Sequence, residues 1–277
     1  MSAPYGKLPG EPSDVYHHND ALGAGEINAA RKSLALLRML RNGEDSGDSK
    51  ALLFGRALHC LILEPTEFDY RFAMMPEADG RTKEGKAIRD QFKANAGSKG
   101  ILTHQDYQLM RRMRESIETN VEAQELLRGS EREVTFRAKD PSVELDVQCR
   151  ADIWNEWDNV CADLKSCESL SSFRSKIYDY GYHRAAAHYR EVIRLTLGLN
   201  DTPRFVFIAV EKSAPYAVAC YELDEIWLEV GFHERRETLA SIKQCIDTDV
   251  WPRDPDGVQR LEAPDFIQRK LAAVGIG

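Results

Sequence analysis

Residues 144–166 read ELDVQCRADIWNEWDNVCADLKS, and the fold is decided by their parity. Leu145, Val147, Cys149, Ala151 and Ile153 fall on one parity, while Asp146, Gln148, Arg150 and Asp152 fall on the other. That is the period of a strand with one buried face. The polar run 155–159 breaks the pattern, and a second strand follows with Val160, Ala162 and Leu164 on one face and Cys161, Asp163 and Lys165 on the other. Two adjacent strands are therefore predicted, each sending a carboxylate outward, with an ammonium two residues beyond the second. Asp152 followed by Asp163-Leu164-Lys165 offers what metal-dependent phosphodiester hydrolysis requires: hard oxygen donors for a divalent cation and a nearby positive charge for the nucleophile or the developing anion.

Just upstream, Glu133, Val134, Thr135, Phe136 and Arg137 alternate as a strand does, and Glu133 is a candidate further acidic member of the site, with a plain surface carboxylate as the alternative. Downstream, 169–179 reads as a helix striped by Leu170, Phe173 and Ile177. A second helix after Gly181 carries Tyr182, Ala185, Ala186, Tyr189 and Ile193 at helical spacing. The run FVFIAV at 205–210 suits a central strand covered on both faces, 216–223 suits the next strand, and Asp224 opens a long helix.

Toward the amino terminus, 1–19 is rich in Pro, Gly and polar residues and reads as an extended arm. One helix is predicted from Gly25 to Asn42, followed by a polar loop at 43–47. The stretch 49–63 is apolar almost all round, as in a buried helix, yet contains His59. That imidazole is either a satisfied core group or a metal ligand held on a rigid scaffold. A short strand is expected within 68–75. Two helices with basic sides follow, one bearing Lys83, Lys86, Arg89 and Lys93, the other, opened by Thr103 and Asp106, bearing Arg111, Arg112 and Arg114. Such faces suit either solvent or a phosphate backbone.

With 277 residues, 43% of them hydrophobic, the chain can bury a substantial core. The formal net charge of −8 argues against attachment to nucleic acid through a general basic surface, but leaves room for a nuclease whose local field is set by metal ions. The six cysteines form no Cys-x-x-Cys pair and read as reduced core thiols of a cytoplasmic protein. No signal peptide or apolar run of membrane-spanning length is seen. Helices, strands, a helix pair, strands and a helix in that order suit one α/β domain with a mixed central sheet flanked by helices, at 20–252, between the arm and a carboxy-terminal tail at 253–277 with a short helix.

At Asp152, at Asp163-Leu164-Lys165 and at Tyr178-Asp179-Tyr180-Gly181-Tyr182-His183 the sequence resembles the RecE-type exonucleases (exodeoxyribonuclease VIII) of the PD-(D/E)XK superfamily. The same likeness runs through Phe54-Gly55-Arg56-Ala57-Leu58-His59, Cys149-Arg150-Ala151-Asp152, and Phe207-Ile208-Ala209-Val210-Glu211-Lys212 with Pro215-Tyr216-Ala217-Val218. The resemblance implies a restriction-endonuclease-like fold and Mg²⁺-dependent degradation of linear double-stranded DNA from its 5′ ends. It implies that His59, Asp152, Asp163 and the Leu164 carbonyl hold metal, two ions per site, and that Lys165 positions or activates the attacking water. Because His59 is a softer ligand, Mn²⁺ is expected to substitute. Arg150 and Tyr189 become candidate DNA contacts, although Ala185 stands where related RecB-like nucleases have the Gln of a Gln-x-x-x-Tyr motif. A ring-shaped homo-oligomer, trimer or tetramer, and a RecT-type annealing partner are further implications. The rival readings are a RecB-like nuclease that prefers single strands or cuts internally, and a non-catalytic DNA-end-binding module.

Overall fold

The computed structural model describes residues 4–44, 49–253, 257, 258 and 260–273; part of the predicted 43–47 loop lies outside them. The strands are β1 (Gly6–Leu8), β2 (Phe72–Met74), β3 (Gly100–Leu102), β4 (Glu131–Asp140), β5 (Leu145–Asn155), β6 (Val160–Cys167), β7 (Arg204–Glu211) and β8 (Val218–Glu222). The helices are α1 (Ser13–His17), α2 (Ala24–Lys32), α3 (Leu34–Arg41), α4 (Lys50–Leu63), α5 (Phe68–Arg71), α6 (Lys83–Asn95), α7 (His104–Thr119), α8 (Val121–Leu127), α9 (Leu170–Asp179), α10 (Tyr182–Leu197), α11 (Glu225–Thr248) and α12 (Asp265–Ala273).

The main sheet runs β1-β4-β5-β6-β7-β8. Only β6 and β7 are parallel, joined by the crossover through α9 and α10; the other neighbours are antiparallel. This is the mixed central sheet expected. Strand β7 explains why both faces are covered: Phe205, Phe207 and Ala209 enter one core with α2, α9, α10 and α11, while Val206, Ile208 and Val210 enter the other with α4, α7 and α8. Helix α4 starts where the Ser49 side chain accepts the Leu52 N–H, and it buries Phe54, Ala57, Leu58, Cys60, Leu61 and Leu63 against that second face. On the first face α11 comes so close to α10 that a Cβ on Gly231 would lie 2.3 Å from the His183 carbonyl oxygen.

Three expectations change in detail. The helix predicted over 25–42 is divided, because Ser33 leaves the helical conformation and its hydroxyl caps α3 at the Leu36 N–H. The arm region carries an edge strand and a short helix laid on β4 and β5. Glu11 pairs with Arg137 through both carboxylate oxygens, and Arg137 also donates to Gln148. Finally, the alternation in 145–153 does not run through: Val147, Cys149 and Ala151 enter the first core, but Ile153 enters the second and Trp154 returns to the first. The strand thus changes face at Asp152.

Candidate metal centre

The reason for that change of face lies on the neighbouring strand. Arg132 pairs with Ile153 and Val134 with Ala151, so the register places Glu133 across from Asp152. Glu133 has a left-handed backbone, φ 51°, which is unfavourable for a side-chain-bearing residue. On the other side of β5, pairing with β6 covers only Ile153–Ala162, Trp154–Cys161 and Asn155–Val160. It stops one step before Asp152 would face Asp163. The strands part there, and Asp152 Oδ2 accepts the Leu164 N–H at 2.8 Å.

Helix α4 reaches this opening with His59, whose Nδ1 lies 3.2 Å from Asp152 Oδ2. One ligand atom from each of His59, Glu133 and Asp152 can be chosen so that all lie within 4.8 Å of one another. Asp163 and Lys165, on the same face of β6, form an ion pair at 2.5 Å. His59, Glu133, Asp152, Leu164 and Lys165 border a cleft of about 740 Å³ whose walls also include Tyr16, His17, Arg56 and Tyr189.

Electrostatics of the opening favour an added cation. Burial, and then the Asp152 carboxylate, push Glu133 up to about 8. Burial also raises Asp163, against the pull of Lys165. Asp152 goes the other way: burial would raise it, but His59, Lys165 and the Leu164 N–H outweigh burial and lower it. Burial would lower His59, yet Asp152 lifts it to about 9. Lys165 is raised too, because Asp163 and Asp152 overcome the cost of burial. Three carboxylates thus face one imidazole and one ammonium. Ligands about 2.1 Å from a common ion sit up to about 4.2 Å apart, so the His59, Glu133 and Asp152 atoms need only a small contraction to hold a hard divalent cation. The donor set fits such an ion.

Of the residues singled out in the sequence, the structure gathers His59, Asp152, Leu164, Asp163 and Lys165 at one opening. It adds Glu133 in the position that parity alone left open. Tyr189 lines the cleft with its ring edge-on to Phe205, centroids 5.7 Å apart. Arg150 also lines the cleft, but its guanidinium donates to Thr135 Oγ1 and the Glu11 carbonyl and stacks 4.6 Å over Tyr16, so it tethers the amino-terminal segment. None of Lys83, Lys86, Arg89 and Lys93 on α6 lines the cleft. Behind the sheet lies a buried polar cluster that helical periodicity did not disclose. Glu234 pairs with His183 and Arg184, and Arg235 donates to Asp140 and to His188 Nδ1. Its partners come from α11 and from Asp140 on β4, and they hold α10 against β4 and β5.

A comparison with the curated proteins gives no match. A crystal structure from Eubacterium rectale, of a protein provisionally named an exonuclease, is similar in fold, with a TM-score of 0.65 at 14% identity over 93% of this chain and 97% of that one. The family described as "PDDEXK-like domain of unknown function (DUF3799)" matches residues 31–264. This span takes in α4, the parted strands β5 and β6 and every residue of the candidate centre, and the chain belongs to that PDDEXK-like family.

Proposed function

We propose that the protein is a divalent-metal-dependent exodeoxyribonuclease of RecE type, degrading linear double-stranded DNA from its 5′ ends and leaving 3′ single strands for annealing and recombination. The observation that carries the reading is the meeting of His59, Glu133 and Asp152 with the Asp163–Lys165 pair where β5 and β6 separate at the floor of the cleft. The exonuclease name given to the Eubacterium rectale protein and the residue resemblance both support it.

His59, Glu133, Asp152, Asp163 and the Leu164 carbonyl are the groups that would hold Mg²⁺ or Mn²⁺. The bound cation supplies positive charge to phosphoryl oxygens and to the attacking and leaving groups of an in-line displacement. Lys165 keeps its proton beside Asp163 and Asp152, so it orients the nucleophile and stabilises charge instead of abstracting a proton. Tyr189 and Tyr182 wall the cleft as apolar surfaces against which the substrate rests. A ring-shaped homo-oligomer and a RecT-type annealing partner belong to the same reading through the resemblance.

The test incubates purified protein with linear duplex, covalently closed duplex and single-stranded DNA, in Mg²⁺ or in EDTA, beside Asp163→Ala. Digestion of linear duplex alone, requiring Mg²⁺ and lost in the variant, is the expected result. Equal cutting of closed circles would refute end-dependence, preference for single strands would favour the RecB-like reading, and binding without cutting would favour an end-binding module.

A further inference from the structure

The sequence places Arg114 on the basic side of α7, a feature the metal centre does not use. In the structure it meets Arg128 and Arg132 in a second concavity of about 330 Å³, walled also by Ile62, Glu118 and Gln124. The concavity adjoins the metal centre through two elements. Arg132 immediately precedes Glu133 on β4, and Ile62 lies on α4 one turn after His59, an axial step of about 4.5 Å.

The charges there do not balance. Arg114 is matched, with its Nε 2.6 Å from Glu118 Oε1. Arg132 is partly buried; its Nη1 donates to the Ser130 carbonyl and hydroxyl and its Nη2 to the Leu127 carbonyl, which orient the guanidinium without neutralising it. Among the described residues neither Arg128 nor Arg132 has a carboxylate at ion-pair distance, and Arg128 follows directly on the carboxy-terminal end of α8. Arg128 is exposed, so the cost of a guanidinium removed from water without an anion falls on the partly buried Arg132. The Arg128 fork, beside the Arg132 guanidinium, matches the oxygens of a phosphate group. The Gln124 amide adds a polar group whose nitrogen is fixed by the Ile117 carbonyl.

We infer that Arg128 and Arg132, with Arg114 beside them, form a phosphate-binding subsite next to the metal centre. It depends on the nuclease reading only for the source of the phosphate, which is either a nucleic-acid backbone or a free phosphate or nucleotide. Wild type, Arg128→Ala and Arg128→Glu are compared in EDTA, where cleavage plays no part, so failure of the nuclease reading leaves the result interpretable. The probes are inorganic phosphate, thymidine 5′-monophosphate and a short blunt-ended DNA duplex. Far-UV circular dichroism checks folding; Arg128 suits substitution because it anchors no neighbouring side chain.

For a backbone phosphate, duplex affinity falls at least about fivefold in Arg128→Ala and further in Arg128→Glu, and the slope of log K against log salt drops by about 1. Loss confined to the phosphate and mononucleotide titrations supports the subsite and assigns it to a free anion. Folded variants that bind all three probes as the wild type does would overturn it.

Discussion

Glu133 and Asp152 face one another across the β4–β5 ladder, with the backbone left-handed at Glu133 and the side-chain alternation of β5 broken at Asp152. Burial of Glu133 beside the Asp152 carboxylate and the left-handed backbone both oppose folding of the metal-free protein, and both serve to bring two carboxylates to His59. Glu133→Gly removes the strain and the second carboxylate together. It is expected to leave the metal-free protein as stable as the wild type or up to about 1 kcal/mol more so. Mn²⁺ affinity should fall by about 10- to 100-fold, the range for lost supporting groups at metal sites. Urea unfolding in EDTA and calorimetric titration with Mn²⁺ measure the two quantities. Unchanged Mn²⁺ affinity would remove Glu133 from the ligand set.

The contact between His59 and Asp152 makes a prediction about protons. His59 at about 9 and Glu133 at about 8 both carry protons at pH 7 in the metal-free protein, and metal ligation requires both to lose them. Mn²⁺ binding at pH 7 should therefore release between one and two protons, read from titrations in buffers of different ionisation enthalpy. In Asp152→Asn the attraction that lifts His59 is gone while its burial remains, so its titration observed by NMR should move from about 9 to below the ordinary 6.5. A His59 that still titrates near 9 in that variant would show that another group holds its proton.

The parity of residues 160–165 was enough to place Asp163 and Lys165 on one face of β6 and Val160, Ala162 and Leu164 on the other, because that strand keeps its alternation. For β5 parity failed at Ile153, since the change of face there depends on the backbone of Glu133, twenty residues earlier in sequence. The break at Ser33 was hidden because serine is tolerated inside helices as well as before them. On α10 the apolar stripe was visible, but burial of His183, Arg184 and His188 was not. These groups are tolerable inside only because Glu234, Arg235 and Asp140 meet them, and hydrophobic periodicity carries no record of partners on other elements.

The amino-terminal segment gives a separate prediction. Glu11 binds Arg137 through both oxygens while its carbonyl takes Arg150, and Arg137 is 1% exposed. Glu11→Ala leaves a buried guanidinium with its anion removed, which costs about 3–5 kcal/mol when such a pair is broken. Because Ser13, Tyr16 and His17 line the cleft, the segment's release should also widen that wall. Equilibrium unfolding gives the stability loss, and limited proteolysis should cut the variant within residues 4–20 while the wild type resists. A variant with wild-type stability and proteolysis would mean that the rest of the segment holds without Glu11.

Acid sensitivity is expected to arise behind the sheet, at His188. Its Nδ1 accepts from Arg235 at 3.1 Å and its Nε2–H donates to the Gln148 carbonyl at 2.9 Å, an arrangement for the neutral ring alone. Burial, then the Arg235 charge, lower its pKa from 6.5 to about 3. Between those values the unfolded chain binds a proton that the folded protein refuses, so stability is fully present above about 6.5 and falls as pH drops toward 3. One group contributes about 1.4 kcal/mol per pH unit, hence about 2 kcal/mol between pH 7 and pH 5. Asp140, lowered by Ser142 and Arg235 in spite of burial, acts with the same sign further into acid. Glu133 has the opposite sign, because its raised pKa makes stability fall as pH rises from 4.5 toward 8, but that effect is common to wild type and a His188 variant and cancels in the comparison. Urea unfolding of wild type and His188→Gln at pH 7 and pH 5 should show the wild type losing about 2 kcal/mol more than the variant. Parallel losses would mean that His188 is protonated inside the fold and that the Arg235 contact yields to it.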